Sequence, residues 1–402
     1  MNAVGIDVSK GKSTIAVMRP FGEVVLSPFE VHHSSSELSK LAKLLKSLDG
    51  ESRVVLESTG NYHAPVAKTL HDAGLYVSVV NAMLVHDYGN NSLRRAKTDK
   101  KDAVKLANYG LDHWLSLPRY VPEEDTRLLL KNCYRQYQQY AKVQTMLKNN
   151  LISLLDMIFP AVNCLFSSSA RADGSEKWVD FIDAFWHVQC VAGLSAKAFS
   201  AKYLKWCRKH GYNFSEEKAL EIHRTAREHV AVMPKSETTK LLVKQAVAQL
   251  RTVSSAKAAL QNEMDALAAS LPEYPVVMDM FGVGPKLGSQ LMAEIGDVRR
   301  FHSKKALVAY AGIDAPPYQS GQLNVHSRSI SKRGSPALRR TLFLVMRVYL
   351  QCSPPDEPVY QYMAMKRAEG KPYLVYMMAS ANKFLRRYYA TVKAYMNALE
   401  QS

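Results

Sequence analysis

The sequence predicts an α/β domain at its amino-terminal end, then long helices, then a mostly α-helical carboxyl-terminal part. Strand and helix patterns alternate over the first 110 residues. Two later stretches repeat apolar residues at a spacing close to 3.5, as packed long helices do. Beyond residue 275 a glycine turn separates two helical patterns, and basic residues dominate. The 402 residues are enough for two or three domains. We predict them at 1–115, 120–271 with an insertion at about 159–236, and 275–402.

The first domain is predicted from five short strand patterns with helices between them. The runs NAVGIDVS, KSTIAVMRP and GEVVLSPFEV follow one another closely, as in an antiparallel meander. Residues 35–48 and the run YHAPVAKTLHDAG have helical periodicity, and Gly74 ends the second of these helices. RVVLES and LYVSVVN are the fourth and fifth strand patterns. The order βββαβαβα therefore predicts a mixed sheet with helices packed on it.

Two acids begin the last helical pattern of this domain, in the run KTDKKDAVKLANYG. Thr98 is a suitable N-cap, which places Asp99 and Asp102 in the first turn. Residues three apart lie on the same face of a helix, so the two carboxylates would be side by side. The simple interpretation is that the helix dipole favours acids there. The interpretation changes if further carboxylates converge on the pair.

Two more acids lie in predicted strands of the sheet, where they could meet the acidic pair. Asp7 lies inside an apolar strand, where an unpaired carboxylate is costly to bury. Glu57 ends the fourth strand, and the first and fourth strands can be central neighbours. Four acids at one point repel one another unless a divalent cation lies among them. Hard oxygen ligands favour Mg²⁺ or Mn²⁺, and two such ions could stabilise both the attacking and the leaving oxygen of a phosphodiester.

Residues 123–158 and 237–271 predict two long helices. They suit an antiparallel coiled-coil arm or a dimerisation element. Two ordinary bundle helices are the alternative, because patterns this short do not determine a supercoil. The region between them, at 159–236, predicts a small helical insertion with no recognisable chemistry.

The carboxyl-terminal part is strongly basic, with ten lysines and arginines against three acids over residues 282–340. FGVGPKLG resembles a helix-hairpin-helix turn, in which the amides near Gly282, Gly284 and Lys286 could face a phosphate. A plain helix connector is the alternative. We expect basic side chains here and before the acidic pair to contact the nucleic-acid backbone: Arg94, Arg95, Lys97, Arg328, Lys332 and Arg333.

Ser320 precedes Gly321 in what the sequence predicts to be an irregular loop next to prolines. A nucleophilic serine needs exposure and room for a phosphate, and the neighbouring glycine permits close approach. From the residues alone, a simple Ser-Gly turn is the better interpretation of this pair. Four other serines lie in or after the same loop, and no histidine has a spacing that identifies an activator.

Composition limits the possible partners and location. The net charge of +17 predicts a polyanionic partner, most often nucleic acid. No segment is apolar enough for a membrane span, and Asp7 and Lys10 interrupt any signal-peptide core. Five widely spaced cysteines without a CxxC pair predict neither a zinc knuckle nor a disulfide framework. We therefore expect a cytoplasmic protein with no membrane partner, associated with the nucleoid when bound to DNA.

Four motifs together resemble the transposases of the IS110/IS1111 family, which are related to the Piv DNA invertases: GIDVSK, LESTGNY, KTDKKDA and SGQLNVHSRSISKRGSPALRR. The resemblance covers roughly residues 1–115 and 275–350. It implies a RuvC-like domain of RNase H fold, with an acidic DEDD tetrad that matches Asp7, Glu57, Asp99 and Asp102. It also implies a transposase domain whose serine matches Ser320, upstream of ISKRG, and becomes covalently linked to DNA.

The resemblance further implies a structured guide RNA encoded by the element and a homo-oligomer, from dimer to tetramer. Serine and tetrad can then come from different protomers. It implies nothing for the insertion, which is longer than the usual connector of the family. Three alternatives remain open: a Piv-like site-specific invertase, a metal-dependent nuclease or junction resolvase that uses the tetrad alone, and a non-catalytic nucleic-acid-binding protein.

Overall fold

A computed structural model describes most of the chain, and its ranges are 1–58, 60–88, 98–315, 319–320, 323–324 and 329–401. For five residues within these ranges only the backbone is described, namely Asp87, Gln319, Ser320, Leu323 and Asn324. The chain divides into two compact units, Met1–Glu123 and Glu124–Ser402.

The first unit is built on the mixed five-stranded sheet that the sequence predicts. Its strands lie in the order β3-β2-β1-β4-β5. β2 is antiparallel to both β1 and β3, whereas β1, β4 and β5 are parallel. The central strand β1 is almost entirely buried, as its apolar sequence requires. The strands are β1 (Asn2–Val8), β2 (Lys12–Met18), β3 (Val24–His32), β4 (Ser52–Glu57) and β5 (Tyr76–Val80).

Helices cover both faces of this sheet. α1 (Ser35–Lys46) and α2 (His63–Asp72) pack on one face, over the buried side chains of Val4, Ile6 and their neighbours. The other face is covered by the helix at Asp99–Asp112 (α4). A six-residue helix precedes it at Ala82–Asp87 (α3), and its one and a half turns are too short to show a period in the sequence.

Two long antiparallel helices organise the second unit, α5 (Asp125–Asp156) and α10 (Glu237–Ala269). Near one end Leu130 shares a core with Ala268, and near the other Leu151 shares a core with Val247. Both helices are present as predicted, and antiparallel pairing is one of the arrangements that the sequence left open. Whether they form a supercoil stays a prediction.

The middle of the helix pair is held by polar contacts. The Gln144 amide donates to the Ser254 hydroxyl at 2.7 Å, and the Lys257 ammonium donates to the Gln144 oxygen at 2.6 Å. Burial lowers the pKa of Lys257, and the nearby lysine charges add to this effect. A polar layer of this kind favours one register of the helix pair over others.

A small helical domain lies at one end of the pair, in the predicted insertion. Its core is aromatic, with Phe181, Phe199, Tyr203 and Trp206 packed together. The helices are α6 (Lys177–Ala184), α7 (Gln189–Ala192), α8 (Ala196–His210) and α9 (Glu216–Glu228).

The rest of the second unit is helical, as predicted, with one short hairpin. Its core joins the other end of the helix pair to the carboxyl-terminal helices. The elements are α11 (Tyr274–Met278), α12 (Pro285–Ile295), α13 (Lys304–Ala311), β6 (Gln319–Ser320), β7 (Leu323–Asn324), α14 (Pro336–Cys352), α15 (Pro358–Ala368) and α16 (Tyr373–Gln401). Among the described residues, no helix is both long and apolar enough to cross a membrane.

Candidate active site

Asp7 and Glu57 lie at the same edge of the sheet in the first unit. β1 and β4 are parallel neighbours, and their last registered pair is Ile6 with Leu56. Asp7 and Glu57 each follow that pair by one residue. Adjacent strands are about 4.8 Å apart, so these two acids occupy neighbouring positions at the carboxyl ends of the strands.

The helix α4 runs across this same face and in the direction opposite to β1. Gly5 lies against Ala103, near the start of α4, and Gly110, near its end, lies against Ala3 and Val55. Side chains alternate along a strand, so Asp7 faces α4 as Gly5 does, and Glu57 faces it as Val55 does. The first turn of α4 therefore points toward the sheet edge that contains the two strand acids.

Thr98 caps α4 as predicted, and its hydroxyl accepts a hydrogen bond from the Lys101 amide at 3.3 Å. Asp99 and Asp102 lie in the first turn. Asp99 is exposed, and Asp102 is half-buried, as are Asp7 and Glu57. All four acids of the predicted tetrad thus belong to one end of the sheet and the helix end beside it.

The chemistry of this set fits a hard divalent cation, because all its side chains are carboxylates. Even so, no three His, Cys, Asp or Glu side chains in the described ranges lie close enough together to hold a metal ion. Convergence of the four acids into a closed ligand set stays a prediction.

A lysine and a further acid at this edge were missed by the sequence analysis. Lys12, at the start of β2, donates to Glu30 of β3 at 2.9 Å. The hydrogen bond with Glu30 raises the pKa of Lys12, and the charge of Asp99 adds to it. Thr14 pairs with both Asp7 and Glu30, which places Glu30 on the face of Asp7. Only strand pairing reveals this, since nothing in KSTIAVM distinguishes Lys12.

Ser320 lies in a hairpin of the second unit, where the sequence predicts an irregular loop. Its backbone pairs with Leu323, and Gln319 pairs with Asn324. Two-residue strands are too short to show an alternating pattern in the sequence, so this hairpin was not predicted. The side chain of Ser320 lies outside what the structure describes.

The hairpin lies within residues 314–331, which we call the anchored segment. The two ends of this segment are hydrogen-bonded to each other and to the helical core. The Ser331 amide donates to the Asp314 carbonyl at 2.8 Å, and the Lys332 amide donates to the Gly312 carbonyl at 3.0 Å. Gly334 packs so closely on the Tyr310 carbonyl that a Cβ there would lie 2.1 Å from the oxygen. These contacts attach both ends of the segment to the end of α13.

A buried carboxylate holds the chain in place just after the second end of the anchored segment. Glu294 of α12 accepts a hydrogen bond from the Ser335 hydroxyl at 2.7 Å. Ser335 is the N-cap of α14, and it also accepts from the Leu338 amide. Glu294 is 2% exposed, and the Arg135 guanidinium lies 3.8 Å from its other oxygen. The sequence gives no sign of this support, because Glu294 lies in an ordinary helical pattern.

Two of the predicted phosphate contacts, Lys332 and Arg333, lie between these anchor points and are exposed. Lys332 has a left-handed backbone with φ of 54°. Four others fall on residues that the structure does not describe, namely Arg94, Arg95, Lys97 and Arg328. For those four the sequence-based prediction stands untested.

A groove of about 1430 Å³ opens beside the anchored segment, between α13, α14 and α16. Its floor is apolar and includes Phe343 and Met378. Its cationic lining is formed by Lys305, Lys332, Arg339, Arg340, Lys383 and Arg386, against one acid, Asp314. The groove can therefore accept an anionic ligand that has an apolar part.

The predicted glycine turn connects α11 and α12. Gly282 has a φ of 77° and packs on Tyr349, so a side chain there would be strained and crowded. Gly284 is the N-cap of α12 without a side-chain cap, and Lys286 is exposed in the first turn. Helix, turn and helix are confirmed; a phosphate contact at the turn stays a prediction.

Two family models match this chain, one over its amino-terminal part and one over its carboxyl-terminal part. The DEDD-type IS110 model, described as a transposase, matches residues 4–160, which include the four acids. The model of the transposase IS116/IS110/IS902 family matches residues 274–361, which include Ser320, Lys332 and Arg333. The chain belongs to the IS110 family of transposases. The resemblance found in the sequence motifs is thereby confirmed, and with it a DNA-acting enzyme.

Individual relatives extend the similarity over nearly the whole transposase. An IS110 insertion element protein of Streptomyces coelicolor is 23% identical over 394 residues, covering 97% of this chain and 93% of its own length. The pilin gene-inverting protein of Moraxella bovis is 22% identical, covering 85% and 80%. A putative transposase of Sinorhizobium fredii is 32% identical over 108 residues, covering 24% and 27%.

Proposed function

We propose that this transposase cuts and rejoins DNA through Ser320 and a divalent-metal site formed by Asp7, Glu57, Asp99 and Asp102. The observation that supports the metal site best is the common edge shared by β1, β4 and the first turn of α4. The strand order β3-β2-β1-β4-β5, with β2 antiparallel, supports an RNase H-like fold for this unit.

In the proposed reaction the Ser320 hydroxyl attacks a phosphodiester of the DNA. A bond forms between Oγ and phosphorus, one P–O bond of the strand breaks, and a strand hydroxyl leaves with a proton. Attack by the hydroxyl of another strand reverses these changes and frees the serine, so rejoining needs no external energy source. Mg²⁺ or Mn²⁺ bound by the tetrad would stabilise negative charge on the phosphate oxygens during transfer.

Basic side chains of the second unit would hold the DNA backbone. Lys332 and Arg333 are exposed beside the anchored segment, and Lys286 is exposed at the glycine turn. A structured guide RNA would need a similar cationic surface, and the net charge of +17 is suited to both polyanions. We place the protein in the cytoplasm, where it would reach the nucleoid.

The test is to trap wild-type and Ser320→Ala protein on a suicide DNA substrate with Mg²⁺. We expect a covalent adduct on a denaturing gel for wild-type protein, mapped to Ser320 by peptide mass, and none for the variant. Ser331→Ala, in the same segment, is the matched control and should still form the adduct. An adduct on another serine would relocate the nucleophile; cleavage by Ser320→Ala without any adduct would favour the resolvase alternative.

Site-specific inversion is a second candidate function, favoured by the similarity to the pilin gene-inverting proteins of Moraxella bovis and Moraxella lacunata. The two functions differ in their products. A plasmid with the native flanking DNA would show an inverted segment in one case and an excised or inserted element in the other. Purification of the protein from the same cells, followed by sequencing of any RNA bound to it, tests whether it carries a guide RNA.

A further inference from the structure

The charged side chains that helix α8 presents to solvent are all cations. Five basic side chains on it are exposed: Lys197, Lys202, Lys205, Arg208 and Lys209. The helix contains no acid. At about 100° per residue, these five occupy an arc of about 140°, opposite the buried side of the helix. We call this set the α8 basic face.

Helix stability does not explain the α8 basic face. Arg208 and Lys209 lie in the last turn, where the helix dipole favours cations. Lys197 lies in the first turn, where the dipole opposes them, and Lys202 and Lys205 lie in the middle. Within the described ranges, none of the five is within 4.0 Å of a carboxylate, so ion pairing does not hold them either.

The neighbouring helix α9 shows the ordinary pattern by contrast. Its cations alternate with acids and pair along the helix, Lys218 with Glu221 at 2.7 Å and Arg224 with Glu228 at 3.9 Å. Both helices belong to the same small domain and share its core. The row of five cations without an acid therefore distinguishes α8 from α9.

We propose that the α8 basic face binds the phosphate backbone of double-stranded DNA. The face spans about 18 Å from Lys197 to Lys209, at about 1.5 Å per residue. The other exposed side chains of the helix are small, Ala198 and Ala201, so nothing there could stack on unpaired bases or enter a membrane. A row of cations without base-reading groups is suited to sequence-independent contact with a duplex.

This surface lies outside both regions that match the family models, 4–160 and 274–361. It is independent of Ser320 and of the tetrad, so the proposal does not depend on the mechanism given above. It assigns the insertion a function, which is to bind duplex DNA at a surface separate from the proposed catalytic residues. DNA is the polyanion on which a transposase acts, and we therefore choose it over duplex RNA.

The experiment measures binding of full-length protein to a labelled duplex DNA of about 30 base pairs and arbitrary sequence over a range of salt concentrations. The test variant combines Lys202→Gln, Lys205→Gln and Arg208→Gln. Each phosphate contact on B-DNA contributes about 0.9 to the salt slope, so the slope should fall by about 2.7. At 0.15 M salt, the affinity should fall by roughly 100-fold.

The control removes three cations from the same domain and the adjoining helix: Arg224→Gln, Arg227→Gln and Lys240→Gln. It should leave slope and affinity close to the wild-type values. An unchanged slope in the test variant, or an equal loss in the control, would overturn the proposal. A loss seen only with a duplex RNA of equal length would overturn the choice of DNA.

Acetylation of lysines in the wild-type complex gives an independent readout that needs no variant. Bound duplex DNA should protect Lys202 and Lys205 from the reagent, as read by peptide mass, and leave Lys240 as reactive as in free protein. Equal reactivity of Lys202 and Lys205 with and without DNA would contradict the proposal, whatever the variants show.

Discussion

Gly5 has no side chain because α4 occupies the space where one would lie. A Cβ built there would be 2.0 Å from the Ala103 carbonyl oxygen and 2.4 Å from the Ala107 nitrogen. Both are backbone atoms, which cannot move aside as the end of a flexible side chain can. This close approach brings Asp102, next to Ala103, toward the edge of the sheet where Asp7 lies.

Gly5→Ala should therefore force α4 away from β1. Overpacking of this kind costs about 1–3 kcal/mol, and we expect that loss in the free energy of unfolding, measured by urea denaturation. The matched comparison is Gly110→Ala on the same interface, where a Cβ would meet side-chain atoms and no backbone, the nearest being a methyl of Val55 at 2.8 Å. Alanine also favours the helix by about 1 kcal/mol there. Equal stability of the two variants would contradict this interpretation of the interface.

Asp102 separates the metal interpretation from the simple first-turn interpretation. Asp102→Asn removes one carboxylate charge and no cation, so DNA affinity should remain near the wild-type value. Loss of partners that only support metal ligands already costs about 10–100-fold, so recombination with Mg²⁺ should fall by about 100-fold or more. The readout is a plasmid recombination assay beside a DNA-binding titration.

Asp125 provides the control, because it is an exposed acid in the first turn of another helix, α5. The Asp125→Asn variant should recombine the plasmid at the wild-type level. If Asp102→Asn also does so, the acids of α4 have only the helix-dipole role, and the metal assignment is wrong.

At the scale of elements, a buried ion pair joins the start of α5 to the start of α11. The Arg127 guanidinium donates to both oxygens of Glu273, to Oε2 at 2.9 Å, and the two side chains are 5% and 2% exposed. Burial alone would lower the pKa of Arg127, yet hydrogen bonds and charge from Glu273 raise it overall. The buried Arg127 charge therefore depends mainly on Glu273.

Glu273→Gln leaves the buried guanidinium with one remaining ion-pair partner, the exposed carboxylate of Glu124 at 3.3 Å. Such losses cost about 3–5 kcal/mol, which should appear as a lower urea midpoint for the second unit. The comparison variant is Glu221→Gln, which breaks the more exposed Lys218–Glu221 pair of α9 and should cost less than about 1 kcal/mol. Similar midpoints for the two variants would show that solvent reaches the Arg127 pair.

At the scale of the whole molecule, the acidic tetrad and Ser320 belong to different compact units. The family resemblance implies an oligomer in which serine and tetrad come from different protomers. Coexpression of Ser320→Ala with Asp102→Asn should then restore recombination above the level of either variant alone, because each chain supplies what the other lacks. Different affinity tags would verify that mixed oligomers form. Mixed oligomers without restored activity would contradict shared sites.

Short-range patterns in the sequence were sufficient for much of the first unit. Five strands, two packing helices and the Thr98 cap follow from local periodicity and capping chemistry, which act within a few residues. The four motifs also identified the family, because they combine residue types at fixed spacing. The two long helices were predictable for the same reason: their apolar repeat extends over some thirty residues each.

Contacts between residues distant in sequence were not predictable in this way. Lys12 and Glu30 meet only because β2 pairs with β3, and Glu294 supports Ser335 only because α12 packs on α14. The hairpin at Ser320 was too short to leave a pattern. The α8 basic face needed the fold as well, since only packing of Phe199, Tyr203 and Trp206 inward determines which side of α8 faces solvent. Sequence alone determined the five strands of the sheet, the long helices and the family, because those depend on local spacing. Tertiary structure decided which side chains meet at the edge of the sheet, which buried groups hydrogen-bond to each other and which side of α8 faces solvent. These depend on how elements distant in sequence pack.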